Sequence, residues 1–133
     1  LLSQNDVVLL DRYYTANLLH QGAKFGSDLQ ARNKFIDLIS KIELEELQIP
    51  KPDTVLYLTI PFEIFLKRME SRKQDQKQVI DTLESDEEYI RAAIDRGESI
   101  AKHCAWQVVD GVDEGRELSR EEVHQKVLTT LGF

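Results

Sequence analysis

Three short apolar runs alternate along the chain with longer segments of helical period. The runs are residues 7–10, 54–60 and 106–110, and they are rich in aliphatic and β-branched side chains. Such runs are typical of buried strands. The first is followed by an acid, Asp11, and the third ends in one, Asp110. We therefore predict three strands, two of which deliver a carboxylate to the end of a strand.

The segments between the strands predict helices. Residues 28–47, 61–69, 85–103 and 119–131 carry apolar positions suited to one buried face. Ser119 with Glu122 three residues later predicts a capping box at the start of the last helix. Residues 71–78 are polar, charged and without an apolar stripe, which predicts a solvated loop or a mobile helical flap.

Strands that alternate with helices of this length indicate βαβ units and a parallel sheet, so the predicted class is α/β. The 133 residues show no internal repeat and no linker, and they suffice for one modest core. The first residue is Leu1 rather than methionine, and we expect the chain to be a later piece of a longer one.

Composition narrows the range of partners. The net charge of −7 argues against nucleic-acid binding, which needs a basic face, but leaves room for a small anion held by local arginines. No apolar stretch approaches the roughly 20 residues of a membrane span. The single cysteine, Cys104, excludes an internal disulfide and fits a reducing cytosol, so we expect a cytoplasmic protein with neither membrane nor nucleic-acid partner.

Asp11 and Arg12 are the first candidate for chemistry. They could be an ordinary charge pair in a strand-to-helix loop. They could also clamp a phosphate, with Arg12 giving two parallel donors and Asp11 orienting a magnesium-bound water or an attacking oxygen. Ligands of open α/β folds bind at this edge of the sheet. Position alone does not choose between the two interpretations.

The residues that follow favour the phosphate clamp. Asn17, His20 and Gln21 are spaced to share one face of a helix. All three side chains can hydrogen-bond the edge of a base or a sugar. A phosphate clamp that leads into such a face is what a nucleoside monophosphate needs.

A basic cluster is the second candidate. It consists of Lys67, Arg68, Arg72 and Lys73. These residues could be a solvated helix end, where cations are favoured by the dipole. They could also form a lid whose guanidinium groups cover a transferring phosphoryl group. Asp81 and Glu84 follow the cluster and could simply cap the next helix.

Two signals are absent from the sequence. His103 and Cys104 have no second pair at metal-ligand spacing, so no protein-held metal site is predicted. The chain also contains no GxxxxGK[ST] loop for the phosphates of ATP.

These motifs together resemble the thymidylate kinase family. The resemblance rests on four segments and a strand in the family's order: Asp11-Arg12-Tyr13, Asn17 with residues 20–24, residues 49–53, residues 81–84 and residues 106–110. It implies a P-loop NTPase-like parallel sheet sandwiched by helices. Residues 1–133 would be the C-terminal part of a single nucleoside monophosphate kinase domain, with a lid at about residues 70–83.

The resemblance also implies roles for individual residues. Arg12 would bind the dTMP phosphate, with Asp11 near the magnesium and the transferring phosphoryl group and Tyr13 beside them in the substrate site. Asn17 falls where the family contacts thymine, Gln21 falls at a site often glutamine, and His20 stands where an aromatic residue usually lines the deoxyribose. Arg68 and Arg72 resemble the lid arginines that act in catalysis.

By the same resemblance the complete protein would phosphorylate dTMP with ATP, giving dTDP and ADP, and would form a homodimer. The N-terminal βαβ part, which holds most of the ATP and Mg²⁺, would be absent here, so we expect this chain alone to fold poorly and to be inactive. Two alternatives stay open: a kinase for another deoxynucleoside monophosphate, and a non-catalytic nucleotide-binding or interaction module derived from such a kinase.

Overall fold

The computed structural model of the protein describes residues 6–76 and 87–133, with side chains placed for residues 6–71 and 87–133. The chain divides into two compact units, unit 1 up to Ile49 and unit 2 from Pro50. The elements are α1 (Tyr14–Gly22), α2 (Leu29–Lys41), β1 (Leu56–Thr59), α3 (Phe62–Gln76), α4 (Glu87–His103), β2 (Gln107–Asp110), β3 (Val112–Asp113), β4 (Arg116–Glu117) and α5 (Arg120–Leu131). No helix among the described residues is both long and apolar enough to cross a membrane.

The predicted strand at residues 7–10 is wrong. These residues have no regular structure, and Val7, Leu9 and Leu10 are 60%, 82% and 55% exposed. A strand exists only when a neighbour takes up its backbone hydrogen bonds, and none of the strand pairs in the described residues includes this run. The prediction rested on composition alone, and within the described residues this run has no paired strand.

Unit 1 is helical. Asp28 caps α2, its carboxylate accepting a hydrogen bond from the Ala31 N–H at 2.9 Å. The predicted helix over 28–47 is confirmed, with its last turn, Ile42–Glu46, wound as a π-helix. Leu18 of α1 and Ile36 of α2 are buried, and α1 and α2 pack against each other.

Unit 2 is built on a parallel pair of strands. The structure pairs β1 with β2 in the register Leu56 to Gln107 and Thr59 to Asp110. The predicted strands over 54–60 and 106–110 are thus confirmed, each slightly shorter, and the parallel pairing is confirmed for these two. Helix α4 packs on both strands and α5 packs on β2, so Ile100 and Val109 are buried.

Helix α3 is longer than predicted. It begins after Pro61, as the sequence indicates, and continues to Gln76 rather than stopping near Met69. Of the two interpretations of residues 71–78, the helical one therefore holds for 71–76. The remainder of the predicted lid, with Asp81 and Glu84, lies outside the described residues.

Gly97 in α4 marks a close contact between helix and sheet. A Cβ built there would lie 2.6 Å from Cζ of Tyr57, well inside van der Waals contact. The Tyr57 ring of β1 thus rests on the backbone of α4. A glycine inside a helix lowers the helix's stability by about 1 kcal/mol relative to alanine. The close contact with the Tyr57 ring explains why position 97 is nonetheless glycine.

A small hairpin connects β2 to the last helix. Strands β3 and β4 pair antiparallel, with Asp113 opposite Arg116, and both central residues of the turn, Glu114 and Gly115, have positive φ. A type I′ turn requires this backbone. The hairpin was not predicted, since strands of two residues show no period.

The predicted capping box of α5 is confirmed. Ser119 Oγ accepts from the Glu122 N–H at 3.2 Å, and the Glu122 carboxylate accepts from the Ser119 N–H at 2.8 Å. Arg116 donates to both oxygens of the same carboxylate, at 2.7 and 3.0 Å. One carboxylate thus joins the hairpin to the start of α5.

We predict that Gly97→Ala destabilises the protein by about 1–3 kcal/mol, the usual cost of overpacking, despite the better helix propensity of alanine. Chemical unfolding measures the change. In a Tyr57→Leu background the ring is gone, so the same substitution should be neutral or stabilising. An equal loss in both backgrounds would contradict the contact.

We predict that Glu122 titrates far below an ordinary glutamate. Hydrogen bonds from Arg116 and from the Ser119 backbone lower its pKa from 4.5 to about 2. Because the folded-state pKa is the lower one, the carboxylate's contribution to stability is full above pH 4.5 and is lost as the pH falls through about 2. Following the carboxyl carbon of Glu122 by NMR measures the midpoint, and Arg116→Gln should move it upward; an unchanged midpoint would contradict this cause.

Candidate functional site

The loop ahead of α1 holds the three residues Asp11, Arg12 and Tyr13. Asp11 and Arg12 are exposed, and Tyr13 is half-buried with its ring edge-on to that of Tyr14, 5.3 Å between centroids. Arg12 has a φ of +69°, in the left-handed region. That conformation costs an ordinary L-residue roughly 1–2 kcal/mol. Strain of this kind at an exposed charged residue is common where a ligand is bound.

Helix α1 begins directly after this loop. Tyr13 is its N-cap, in extended backbone, and within the described helix no side chain caps the first turn and no acidic residue lies in it. The positive end of the helix dipole therefore faces the loop without a competing carboxylate in that turn. Backbone N–H groups and a dipole of this sign favour an anion.

The three predicted base-reading residues all lie in α1. Asn17, His20 and Gln21 occupy positions i, i+3 and i+4, so they share one side of the helix as predicted. Asn17 and His20 are exposed and Gln21 is half-buried, while Leu18 turns into the core of unit 1. A row of hydrogen-bonding side chains thus continues from the Arg12 loop.

In unit 2 a small open pocket lies where β1 and β2 end. It has a volume of about 110 Å³ and is lined by Thr59, Ile60, Pro61, Ile94, Glu98 and Asp110. Pockets that hold a small-molecule ligand measure about 300–1,000 Å³, so this one does not accommodate a nucleotide by itself. Its position agrees with the expectation that the carboxyl ends of parallel strands line a concave surface.

Tyr57 lies below this edge. Burial raises the pKa of its hydroxyl above 10.0, a hydrogen bond with the Thr59 side chain acts in the opposite direction, and the charge of Glu98 adds a smaller rise. The phenol therefore stays protonated at neutral pH. Together with its contact with Gly97, this identifies Tyr57 as part of the packing under the pocket.

Arg68, predicted as a lid residue, has a defined partner. Its Nε donates to Glu117 Oε1 of β4 at 2.7 Å. Arg72 lies four residues further along α3, and its side chain is outside the described set. The two predicted lid arginines and the Asp11–Arg12 loop belong to different units.

Among the side chains described for residues 6–71 and 87–133, no group of three or more His, Cys, Asp or Glu residues could hold a metal ion. In kinases Mg²⁺ is held largely by substrate phosphates, water and one or two carboxylates. The exposed carboxylate of Asp11 is suited to be one such ligand. This mode of binding does not require several protein ligands around the ion.

Unit 1 presents an exposed arginine next to a helix start, and a helix N-terminus of this kind favours an anion. The family model described as thymidylate kinase matches residues 1–127, nearly the whole chain. The protein belongs to the thymidylate kinase family, as the resemblance of its motifs indicated.

Individual relatives agree with this assignment. The chain is 28% identical to a probable thymidylate kinase of Saccharolobus solfataricus over 119 residues, which are 89% of this chain and 53% of the relative. It is 28% identical to a thymidylate kinase of Parasynechococcus marenigrum over 132 residues, 98% of this chain and 56% of the relative. It is 33% identical to the Mycobacterium tuberculosis thymidylate kinase over 84 residues, 62% of this chain and 38% of the relative. The chain thus spans about half the length of the first two, and no solved structure matches it.

Three features of the structure were not predicted. The left-handed backbone of Arg12 and the Arg68–Glu117 ion pair have no signature in a single sequence. Arg32 of α2 is 2% exposed, with Nε and Nη2 donating to Asn33 Oδ1 at 3.2 and 3.1 Å, although arginine is almost never buried. For the contact of Gly97 a signal was present, because an isolated glycine inside a helical pattern indicates close packing.

We predict that Arg12→Gly is more stable than Arg12→Ala by about 1–2 kcal/mol, because glycine adopts positive φ without strain. Chemical unfolding of the two variants measures the difference. At Lys24, in the short 3₁₀ turn after α1, the order should reverse, with Lys24→Ala the more stable. Equal stability of the two Arg12 variants would contradict the strained conformation.

Proposed function

We propose that the complete protein transfers a phosphoryl group from ATP to dTMP, giving dTDP and ADP, and that this chain supplies the acceptor site. The observation that carries the proposal is the continuity of the Asp11–Arg12–Tyr13 loop with the polar side of α1. The loop offers a guanidinium and a helix start to a phosphate, and the helix offers amide and imidazole groups to a nucleoside.

In this proposal each residue of unit 1 has a task. Arg12 grips the phosphate of dTMP with two parallel donors, since the planar guanidinium matches phosphate oxygens. Asn17 hydrogen-bonds the thymine edge, Gln21 supports it from the next turn, and His20 lies against the deoxyribose. Tyr13, extended at the N-cap, closes the phosphate end of the site. The exposure of Arg12, Asn17 and His20 is compatible with direct contact.

Catalysis consists of positioning and charge neutralisation, without a covalent intermediate. Asp11 would contribute one carboxylate to Mg²⁺, which neutralises phosphate charge when it is bound. Arg68 and Arg72 would lie near the transferring group. ATP itself would be held chiefly by a segment with a GxxxxGK[ST] loop, which the sequence of this chain lacks. A parallel sheet of P-loop type in the complete protein is part of the same proposal.

The exposed run at residues 7–10 supports the proposal that more of the sheet belongs to the working enzyme. Val7, Leu9 and Leu10 are apolar and largely exposed, and β1 has its paired neighbour β2 on one side within the described residues. Unpaired strand edges and exposed apolar runs favour a further strand. By itself, therefore, we expect this chain not to turn over ATP.

The acceptor site is tested by titrating dTMP into the protein by calorimetry, beside dUMP, dCMP and dGMP. We expect dTMP to bind most tightly. Arg12→Gln should weaken it by roughly 10- to 150-fold, the equivalent of the 1.5–3 kcal/mol of a hydrogen bond to a charged group. Lys24→Gln, which removes an exposed cation just after α1, is the matched control and should leave the affinity unchanged.

The outcomes separate the alternatives. Equal affinity for all four nucleotides would count against thymine recognition by Asn17 and favour a kinase of broader acceptor range. Binding of dTMP without dTMP-dependent ADP release, in the protein expressed with all of its coding sequence, would favour a non-catalytic module. Equal loss of affinity in the Arg12 and Lys24 variants would overturn the assignment of the phosphate to Arg12.

A further inference from the structure

The contact between Arg68 and Glu117 joins two segments 49 residues apart in sequence. The Nε···Oε1 distance is 2.7 Å, and both side chains are about one third exposed, 38% for Arg68 and 34% for Glu117. Partial burial reduces solvent screening, so a charge-assisted hydrogen bond here is stronger than one at the open surface. The pair fixes the orientation of a guanidinium at the base of the predicted lid.

The backbone at Glu117 is anchored by contacts of its neighbours. It lies in β4, opposite Val112 of β3, and its neighbour Leu118 is buried and donates its N–H to the Gly111 carbonyl at 2.9 Å. On its other side, Arg116 binds both oxygens of Glu122. Lys126 of α5 donates to the carbonyls of Asp110 and Val112, each at 3.3 Å. The backbone that carries Glu117 is thus tied to β2 and to α5, and its carboxylate accepts the hydrogen bond from Arg68.

The geometry of the bond leaves part of the guanidinium available. Among the side chains described, the hydrogen bond of Arg68 is made by Nε, and the guanidinium carries four further N–H donors on Nη1 and Nη2. A carboxylate bound to Nε fixes the plane of the guanidinium group. It leaves the edge that carries Nη1 and Nη2 available. Two parallel donors in a fixed plane suit a phosphate.

We propose that Glu117 is a positioning residue for phosphoryl transfer: it holds Arg68 by Nε so that the Nη edge meets the donor nucleotide's phosphates. This inference rests on the proposed function, and it names a residue of the β3–β4 hairpin that acts only through Arg68. The hairpin thereby sets the orientation of a lid arginine before the substrate arrives, which lowers the entropy cost of assembling the site.

A double-mutant cycle on kcat/KM for ATP tests the proposal. The protein is expressed with whatever coding sequence precedes Leu1, and Glu117→Ala, Arg68→Gln and the double variant are compared by coupled ADP release. Glu117→Ala should lower kcat/KM about tenfold, within the range over which residues in contact couple. In the Arg68→Gln background the same substitution should have no further effect, and KM for dTMP should not change.

Two further variants separate positioning from general stability. Glu117→Gln keeps an acceptor oxygen in place and should recover part of the lost kcat/KM. Glu63→Ala is the control, because it removes a carboxylate of α3, the helix that carries Arg68, and Glu63 is mostly exposed and paired with Arg91 at 3.7 Å. It should leave kcat/KM unchanged.

The contrary results are distinct. Equal losses from Glu117→Ala with and without Arg68, or a lowered melting temperature with unchanged kinetics, would show that the pair is structural and would overturn the inference alone. Absence of phosphoryl transfer by the unmodified protein to any nucleoside monophosphate would overturn the proposed function, and the inference with it.

Discussion

Unit 2 depends on the parallel pairing of β1 with β2. That pairing aligns Thr59 with Asp110 and so brings two polar side chains to one edge, where the small pocket forms. It also fixes Tyr57 over α4, where glycine at position 97 is the residue that leaves room for the ring. The hairpin and α5 follow directly from the end of β2 and are tied back to it through Leu118 and Lys126. The place of Glu117, and through it Arg68, is therefore a consequence of this register.

In the proposed function the two units have different tasks. Unit 1 holds the residues proposed to bind the acceptor nucleotide, namely a strained arginine, an uncapped helix start and a polar helix side. Unit 2 holds the base of the predicted lid and a network of carboxylates and cations around the hairpin. The contacts that define each set of residues lie within its own unit. The thymidylate kinase family model matches residues of both units.

The capping box and the parallel β1–β2 pair were predictable from local spacing and from the alternation of strands with helices, whereas the β3–β4 hairpin and the individual side-chain contacts were not. The capping box at Ser119 and Glu122 was predicted because it spans one helical turn. The run at residues 7–10 has the composition of a strand, but composition does not show whether a neighbouring strand takes up its hydrogen bonds. The Arg68–Glu117 contact was not predicted, because it joins two segments that are far apart in the sequence. The site residues of α1 were found because their spacing is that of a helix, while the backbone of Arg12 depends on the turn into it.

The left-handed backbone of Arg12 has a consequence for how this position can change over evolutionary time. Every substitution loses the guanidinium, and most keep the conformational cost, which glycine removes and asparagine or aspartate lowers. Selection for folding alone would therefore favour glycine there. In the proposed function the arginine is selected for what its side chain binds, and replacement by glycine would exchange that binding for stability.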